Sequence, residues 1–546
     1  MPWHQIYDPF NNVTLSTLFA ALPIVVLLGT LGILRMKAHW AAILGLITAL
    51  VVAIVFFKMP TSLALASAGY GAAFGLLPIG WIVLNVIFLY QLTKDKGEFQ
   101  VLQESLTGVT NDTRLQLVLI AFAFGAFFEG AAGFGTPVAV TAAILIGLGF
   151  GPLQASGLSL IANTAPVAFG ALGIPVITLA AVSGLDVHDL SSMVGRQLPF
   201  FSVLIPFWLV WAFAGFRGMI QVWPALLVAG VFFAIPQFLV SNFHGPWLVD
   251  IVASLCSMAA VTIFLLRWHP KHIWGHDGHD ENAECRACHG YSTNQVVRAW
   301  TPWIILSVLV FIWGLPQIKS FLDGLLIFKY PISHLNNMVM RVPPVVTAAK
   351  AEPAVYMFNI LSATGSGIFI AAVISAILMG YSIAETFRVY FRTIMRVRFS
   401  LLTIAAMLAL GFTTRYSGLD ATLGLTFAKT GHLYPFFGTL LGWLGVALTG
   451  SDTASNVLFG SLQRISAEQI GISSNLMASA NSSGGVMGKM IDAQSIVVAS
   501  TATQWYGHEG DILRYVFFHS LALASLVGIL VFLQAYVFPF TLMVVK

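Results

Sequence analysis

Long apolar runs separated by short polar segments recur from one end of the chain to the other. Twelve of them approach the ~20 residues that a bilayer-spanning helix needs: 13–34, 38–57, 65–93, 155–182, 197–216, 222–241, 247–266, 298–315, 357–380, 399–416, 473–500 and 515–540. Two further stretches, 115–149 and 433–463, are apolar but interrupted near the middle by small and polar residues. The pattern predicts an all-α polytopic membrane protein with about twelve transmembrane helices, in which the two interrupted stretches re-enter as hairpins.

Composition removes the alternatives. Of 546 residues 58% are hydrophobic and only 9% charged, against roughly 25% charged in soluble domains. Too few polar residues exist to cover a water-soluble surface. Three cysteines exclude a disulfide-stapled scaffold. The net charge of +4 is spread through short loops, so no nucleic-acid binding is read from it. Residues 1–12 lack Lys and Arg and contain Asp8, unlike the basic start of a cleaved signal. The first run is therefore read as a retained helix.

Lys and Arg set the expected orientation. Arg35 and Lys37, then Lys94, Lys96 and Arg114, then Arg217, Arg267 and Lys271, then Arg388, Arg392, Arg396 and Arg398 all fall on one side if the N-terminus lies outside. Both termini are then expected in the periplasm. Segment 316–356 fits poorly, since it should be outside yet carries Lys319, Lys329, Arg341 and Lys350. Arginines at 388, 392 and 396 give one basic helical face, expected as an interfacial helix against anionic lipid.

An internal repeat organises the chain. FFEGAAGFGTPVAV (127–140) followed by ANTAPVAFGALGIP (162–175) is answered by LTGSDTASNVLFG (448–460) followed by ANSSGGVMGKMIDAQS (480–495). Gly130 then pairs with Gly450, and Asn163 with Asn481; Gly130 lies 33 residues before Asn163, and Gly450 lies 31 residues before Asn481. Seven expected crossings lie between the hairpins, so they enter from opposite sides. Inverted repeats with discontinuous helices are the pattern of many secondary transporters. The expected division is an N-terminal half (1–267), a polar cytoplasmic loop (268–297) and a C-terminal half (298–546). Helix breaks at membrane depth survive where they line a cavity; small residues at the same places would otherwise serve close helix packing.

Charges inside apolar stretches are expensive and therefore candidates for function. Glu129, Asp452, Lys489 and Asp492 lie in the interrupted stretches; Arg196 and Arg415 lie near helix ends. Lys489 and Asp492 are also spaced to form an ion pair on one helix. The run Ser483 to Met490 looks like a phosphate loop but lacks the first Gly and the closing Ser/Thr. No cofactor is expected, and energy must come from an ion gradient. In the polar loop His276, His279, Cys285 and Cys288 have spacing suited to a tetrahedral zinc site, with a solvated linker as the plainer reading. An intramembrane enzyme would need an oriented nucleophile, base and acid; that pattern is lacking, so the chain is not read as an enzyme.

The stretches FGAFFEGAAGFGTPVAVTAAILIGLGF (124–150), NTAPVAFGALGIPV (163–176), VGRQLPF (194–200), RYSGL (415–419), GWLGVALTGSDTASNVLF (442–459) and GGVMGKMIDAQSI (484–496), with the opening Ile6-Tyr7-Asp8-Pro9, resemble the bacterial L-lactate permease family over essentially the whole chain. The resemblance implies a multi-pass protein of the cell inner membrane that carries L-lactate, and glycolate, together with a proton. A small monocarboxylate needs N–H donors, hydroxyls and one positive group. Asn163, Thr164, Ser451, Thr453, Asn481, Ser482 and Ser483 are the expected polar lining, with Lys489 the leading cation ahead of Arg415 and Arg196. Gly130, Gly133, Gly135 and Gly450 are the expected hairpin glycines. Glu129 is the expected proton carrier, because burial favours the neutral form of a carboxyl group, and Asp452 is the second candidate. Sodium coupling stays open, since carbonyl, Asn and Ser/Thr oxygens also make good sodium ligands.

Overall fold

The computed structural model of the chain describes residues 2–30, 34, 36–101, 109–131, 133, 136–275, 291–346, 348–505 and 508–545. Among these residues the protein is a polytopic helical membrane protein with two small sheets. Among the described residues nine helices are long and apolar enough to cross a bilayer, and the pair Pro152–Ala162 and Val167–Ser183 is bent by 62°. Val13–Leu27, Pro137–Gly147 and Thr364–Leu378 are shorter apolar helices. The expected span at 357–380 starts later than its apolar run. Val355–Phe358 is instead a strand, paired antiparallel with Phe328–Pro331 so that Phe328 faces Phe358. Valine and aromatic residues favour that extended form, and the helix begins only at Thr364.

The basic stretch near 385–398 is not a separate interfacial helix. It forms the first turns of one helix, Ile383–Ser417, of 35 residues. A capping box starts it: Ser382 Oγ accepts from the Glu385 N–H, and Glu385 Oε2 accepts from the Ser382 N–H at 2.8 Å. The four-residue spacing turns Arg392 to Asp95 at 3.3 Å and Arg396 to Gln91, both on helix Trp81–Asp95. Part of the basic face thus binds protein rather than lipid.

Side-chain bonds sort the loops into two faces. On one, Arg114 donates to Gly218 O, Gln221 Oε1 and His272 O and pairs with Asp112, joining the segment around 112 to the loops at 218–221 and 272–274. On the other, strand Trp3–His4 pairs parallel with Val339–Arg341, which pairs antiparallel with Lys350–Glu352. The segment 537–545 lies on this second face too, since Arg196 donates to Met543 O and Ser473 to Val545 O. We call it the terminal face.

A buried ion network braces the terminal face. Glu352 accepts from Arg415 Nε at 2.9 Å and Nη2 at 2.6 Å, and Arg341 Nε stands 2.9 Å from its other oxygen. Burial pushes the Glu352 carboxyl up, but Arg415 and Arg341 outweigh it and hold the group below its ordinary value. Gln5 reaches over the same place, donating to Arg415 O and Tyr416 O at 3.0 Å.

Candidate functional site

Two helical hairpins meet in the middle of the molecule. The first has legs Thr113–Ala131 and Thr136–Gly147. Its first leg is wholly buried, and Gly125 admits Thr141 of the second leg so closely that a Cβ there would lie 3.2 Å from Thr141 Cγ2. Its base is tied to the face opposite the sheets, where Thr113 N–H donates to Trp274 O at 3.0 Å. The second hairpin has legs Tyr434–Thr449 and Asp452–Ile470. Its base lies on the terminal face, where Gln469 donates to Pro344 O. The tips therefore approach from opposite sides.

Each hairpin is followed by a broken helix. In the first, Pro152–Ala162 ends at Asn163, and the chain resumes as a helix after Ala171, Leu172 and Gly173, all with positive φ (44°, 58° and 81°). Three successive left-handed residues, two of them with side chains, are costly and mark the break at which the two helices bend by 62°. In the second, Ser474–Gly488 ends at Lys489 and Ala493–Ala502 follows. The second break thus falls at 489–492, not at Asn481 as its pairing with Asn163 suggested. The reason is packing. A Cβ on Gly442 would lie 2.1 Å from Asn481 O, on Gly484 2.3 Å from Thr439 O, and on Gly488 2.3 Å from Trp443 O. The small residues of 481–488 bring two backbones together and leave the helix intact.

Tips and breaks enclose a cavity of about 210 Å³, lined by Glu129, Gly133, Gly170, Ala171, Ile174, Pro175, Gly450, Ser451, Asp452, Thr453, Lys489 and Ser495, among others. Drug-sized ligands occupy ~300–1,000 Å³, so this space suits a smaller molecule. Two helix N-termini face it. Gly450 (φ 74°) ends one helix, and Ser451 caps the next by accepting from Ala454 N–H at 3.2 Å. Asp492 caps helix Ala493–Ala502 by accepting from Ser495 N–H at 2.7 Å. Such ends present N–H groups and a partial positive charge to an anion.

Lys489 carries the positive charge of the cavity. Its ammonium donates to Gly450 O at 2.6 Å and lies 3.4 Å from Asp492 Oδ2, so it joins the break to the tip of the same repeat. It also acts electrostatically on Glu129 and Asp452. Asp452 accepts from Ser482 Oγ at 2.5 Å and Asn456 Nδ2 at 3.3 Å. A chain of amides continues behind it, Asn481 donating to Asn456 Oδ1 at 2.9 Å and Gln463 to Asn481 Oδ1 at 3.2 Å. Three buried polar atoms of the lining have no hydrogen-bond partner among the described residues: Glu129 Oε2, Asp452 Oδ1 and Ser495 Oγ. Buried polar groups are nearly always paired, so this concentration marks a place built to bind.

The other expected site residues take different places. Ser482 and Asn481 stand behind Asp452 as supports. Thr164 Oγ1 donates to Ile161 O and is spent within its own turn. Asn163, buried, lies beside Glu129. Arg415 and Arg196 are not at the cavity. Arg415 is held by Glu352 and Ala181 O, and Arg196 by Asn242 Oδ1 and Met543 O on the terminal face. Both sit near helix ends, where a long side chain reaches the rim. The expected match of Gly130 to Gly450 shifts as well. Gly130 lies inside the first leg, where a Cβ would come 2.7 Å from Asp250 Cβ, whereas Gly133 (φ 57°) has the left-handed conformation of Gly450. Gly135, and His276, His279, Cys285 and Cys288 of the polar loop, lie outside the described residues.

One buried acid packed against the first hairpin was missed in the sequence. Asp250 is the sole charged residue of the run 247–266, the same signal that singled out Glu129 and Asp452.

The chain is 47% identical over 551 residues to glycolate permease GlcA of Escherichia coli (strain K12), with 98% of each chain covered. It is 45% identical over 542 residues to L-lactate permease of the same organism, again with 98% of each covered. It is 44% identical over 565 residues to L-lactate permease of Bacillus subtilis (strain 168), covering 98% of this chain and 99% of the relative. Residues 16–538 match the family described as L-lactate permease, and the chain belongs to that family.

Proposed function

We propose that the protein is a secondary transporter of the bacterial inner membrane that imports L-lactate and glycolate by symport with a proton. The observation that carries this reading is the convergence of two hairpin tips and two helix breaks on one small cavity with a single lysine among its charged lining residues. The relatives named as lactate and glycolate permeases supply the substrate class.

In this reading the substrate carboxylate lies at the N-terminus of helix Asp452–Ile470 and close to Lys489. Its 2-hydroxyl meets Ser451, Thr453 or Ser495. Glu129 takes the proton, which cancels the charge the anion brings into a poorly hydrated space and lowers the electrostatic cost of reorientation. The halves 1–267 and 298–546, each with one hairpin and one broken helix, move against each other around the cavity. The terminal face is periplasmic. The opposite face holds Lys94, Lys96, Arg217, Arg267, Lys271 and the arginines from 388 to 398, in keeping with the positive-inside bias.

The test is uptake of labelled L-lactate into proteoliposomes, with pH and sodium gradients imposed separately. Accumulation driven by the pH gradient alone is expected, and accumulation that needs sodium would overturn proton coupling. Glu129→Gln, a permanent mimic of the neutral acid, is expected to keep lactate–lactate exchange and lose accumulation. If that variant still concentrates lactate, Glu129 is not the carrier.

A further inference from the structure

The first hairpin rests on helix Val249–Leu265. The contact is tight: Gly130 follows Glu129, and a Cβ on Gly130 would lie 2.7 Å from Asp250 Cβ and 3.2 Å from Ile251 N. Asp250 is 1% exposed, and neither of its carboxyl oxygens has a hydrogen-bond partner among the described residues. Glu129 Oε2 is likewise unpartnered. Glu129 is the charged group that acts on Asp250.

Among the described residues, the elements packed most closely on its helix bring no cation to neutralise Asp250. The elements packed on its helix are Trp223–Phe243, Val118–Phe124, Gly125–Ala131, Gly170–Ser183 and Pro246–Leu248. Their sequences hold one ionisable side chain, Glu129. Further ionisable groups come three residues earlier on the chain, at Trp247. There Lys319 Nζ lies 3.7 Å from the Trp247 ring, with the rings of His188 and His244 at 5.7 and 6.1 Å. Burial lowers Lys319 to about 8, against the opposing pull of Asp323. Asp250 is therefore packed against the residue that follows the cavity carboxylate, three residues along the chain from an ionisable cluster.

We propose that Asp250 and Glu129 form a proton-sharing carboxylate pair, through which a proton passes between the terminal face and the cavity. Two adjacent buried carboxyl groups without a cation between them do not both ionise, so the pair holds one proton or two and titrates as a unit. In the transfer step the O–H bond of Asp250 breaks and an O–H bond forms on the Glu129 carboxylate. Asp250 becomes the carboxylate and is reprotonated by hydronium from the terminal face, leaving water. The pair's charge is the same before and after the transfer, so no second negative charge is created in the apolar interior. Gly130 is what lets Asp250 pack against the backbone next to Glu129, because a Cβ there would lie 2.7 Å from Asp250 Cβ.

The inference rests on the proton-coupled reading, and two measurements keep their failures apart. Asp250→Asn is reconstituted beside the parent, and both are assayed for exchange of external labelled lactate against internal lactate and for accumulation along an imposed pH gradient. Exchange within threefold of the parent, with accumulation reduced tenfold or more, is expected. Asp250→Glu, which keeps an acid, is expected to restore at least part of the accumulation. Full accumulation by Asp250→Asn overturns the inference alone. Loss of both activities in Asp250→Asn overturns it in favour of a packing role. A parent protein indifferent to the pH gradient overturns the proton-coupled reading and the inference together.

Discussion

Replacing Lys489 with alanine removes the cation from a cavity otherwise lined by two carboxylates, Glu129 and Asp452, with Asp492 3.4 Å from the lost ammonium. The residue is 8% exposed, so water screens the loss poorly. A bound carboxylate about 5 Å from the ammonium, at an effective dielectric constant of about 20, gains about 3 kcal/mol. That corresponds to roughly a hundredfold in affinity at about 1.4 kcal/mol per decade. The variant also leaves Gly450 O without its donor, which loosens the tip of the second hairpin. Initial rates of labelled L-lactate uptake should therefore give a KM raised about a hundredfold in Lys489→Ala. Lys489→Arg should recover only part of this, because a planar fork does not replace a compact ammonium between Gly450 O and Asp492. A folded Lys489→Ala protein with KM within threefold of the parent would refute the electrostatic argument and leave anion binding to the helix N-termini.

Glu352→Ala strands Arg415 and Arg341 beside each other at the terminal face. Breaking buried pairs of this kind costs ~3–5 kcal/mol, and the slight exposure of Glu352 and Arg415 places the expected loss at the lower end; the midpoint of thermal unfolding in detergent measures it. Because the Glu352 carboxyl is held below its ordinary value, its stabilisation is complete above the unfolded value near 4.3 and fades as pH falls through the depressed one. A parent and a Glu352→Gln variant should therefore converge in stability at acid pH and separate towards neutrality. Gly442→Val should fold poorly or not at all, since even a Cβ would meet Asn481 O at 2.1 Å; unchanged thermal stability would contradict the close approach of the two helices.

The membrane class, the hairpin segments and the acids of the cavity were legible because each carries a local signal. Apolar runs have a length, and a charge within such a run stands out. What the sequence hid depends on partners far away along the chain. Arg415 reads as a free cation until Glu352, 63 residues earlier, is placed against it. The Asn481 region reads as a helix break until Gly442 and Thr439 show that its small residues admit a neighbouring backbone. The basic face of 388–396 reads as lipid-facing until Asp95 and Gln91 are set beside it. Asp250 had its signal in the sequence, but its meaning comes from Gly130 and Glu129.

The strand at the start of the chain has a consequence for how the protein is made. His4 pairs with Met340, and Gln5 bonds to the backbone of Arg415 and Tyr416. More than three hundred residues must leave the ribosome before the first of these partners exists. At ~5–20 residues per second that is a delay of roughly 15–70 s. During that time the opening strand has neither its sheet nor its ion network, and the terminal face closes only late in synthesis. A tag or fusion at this end would act on that late step. It would lower the yield of assembled protein before it changed the rate at which any assembled molecule transports.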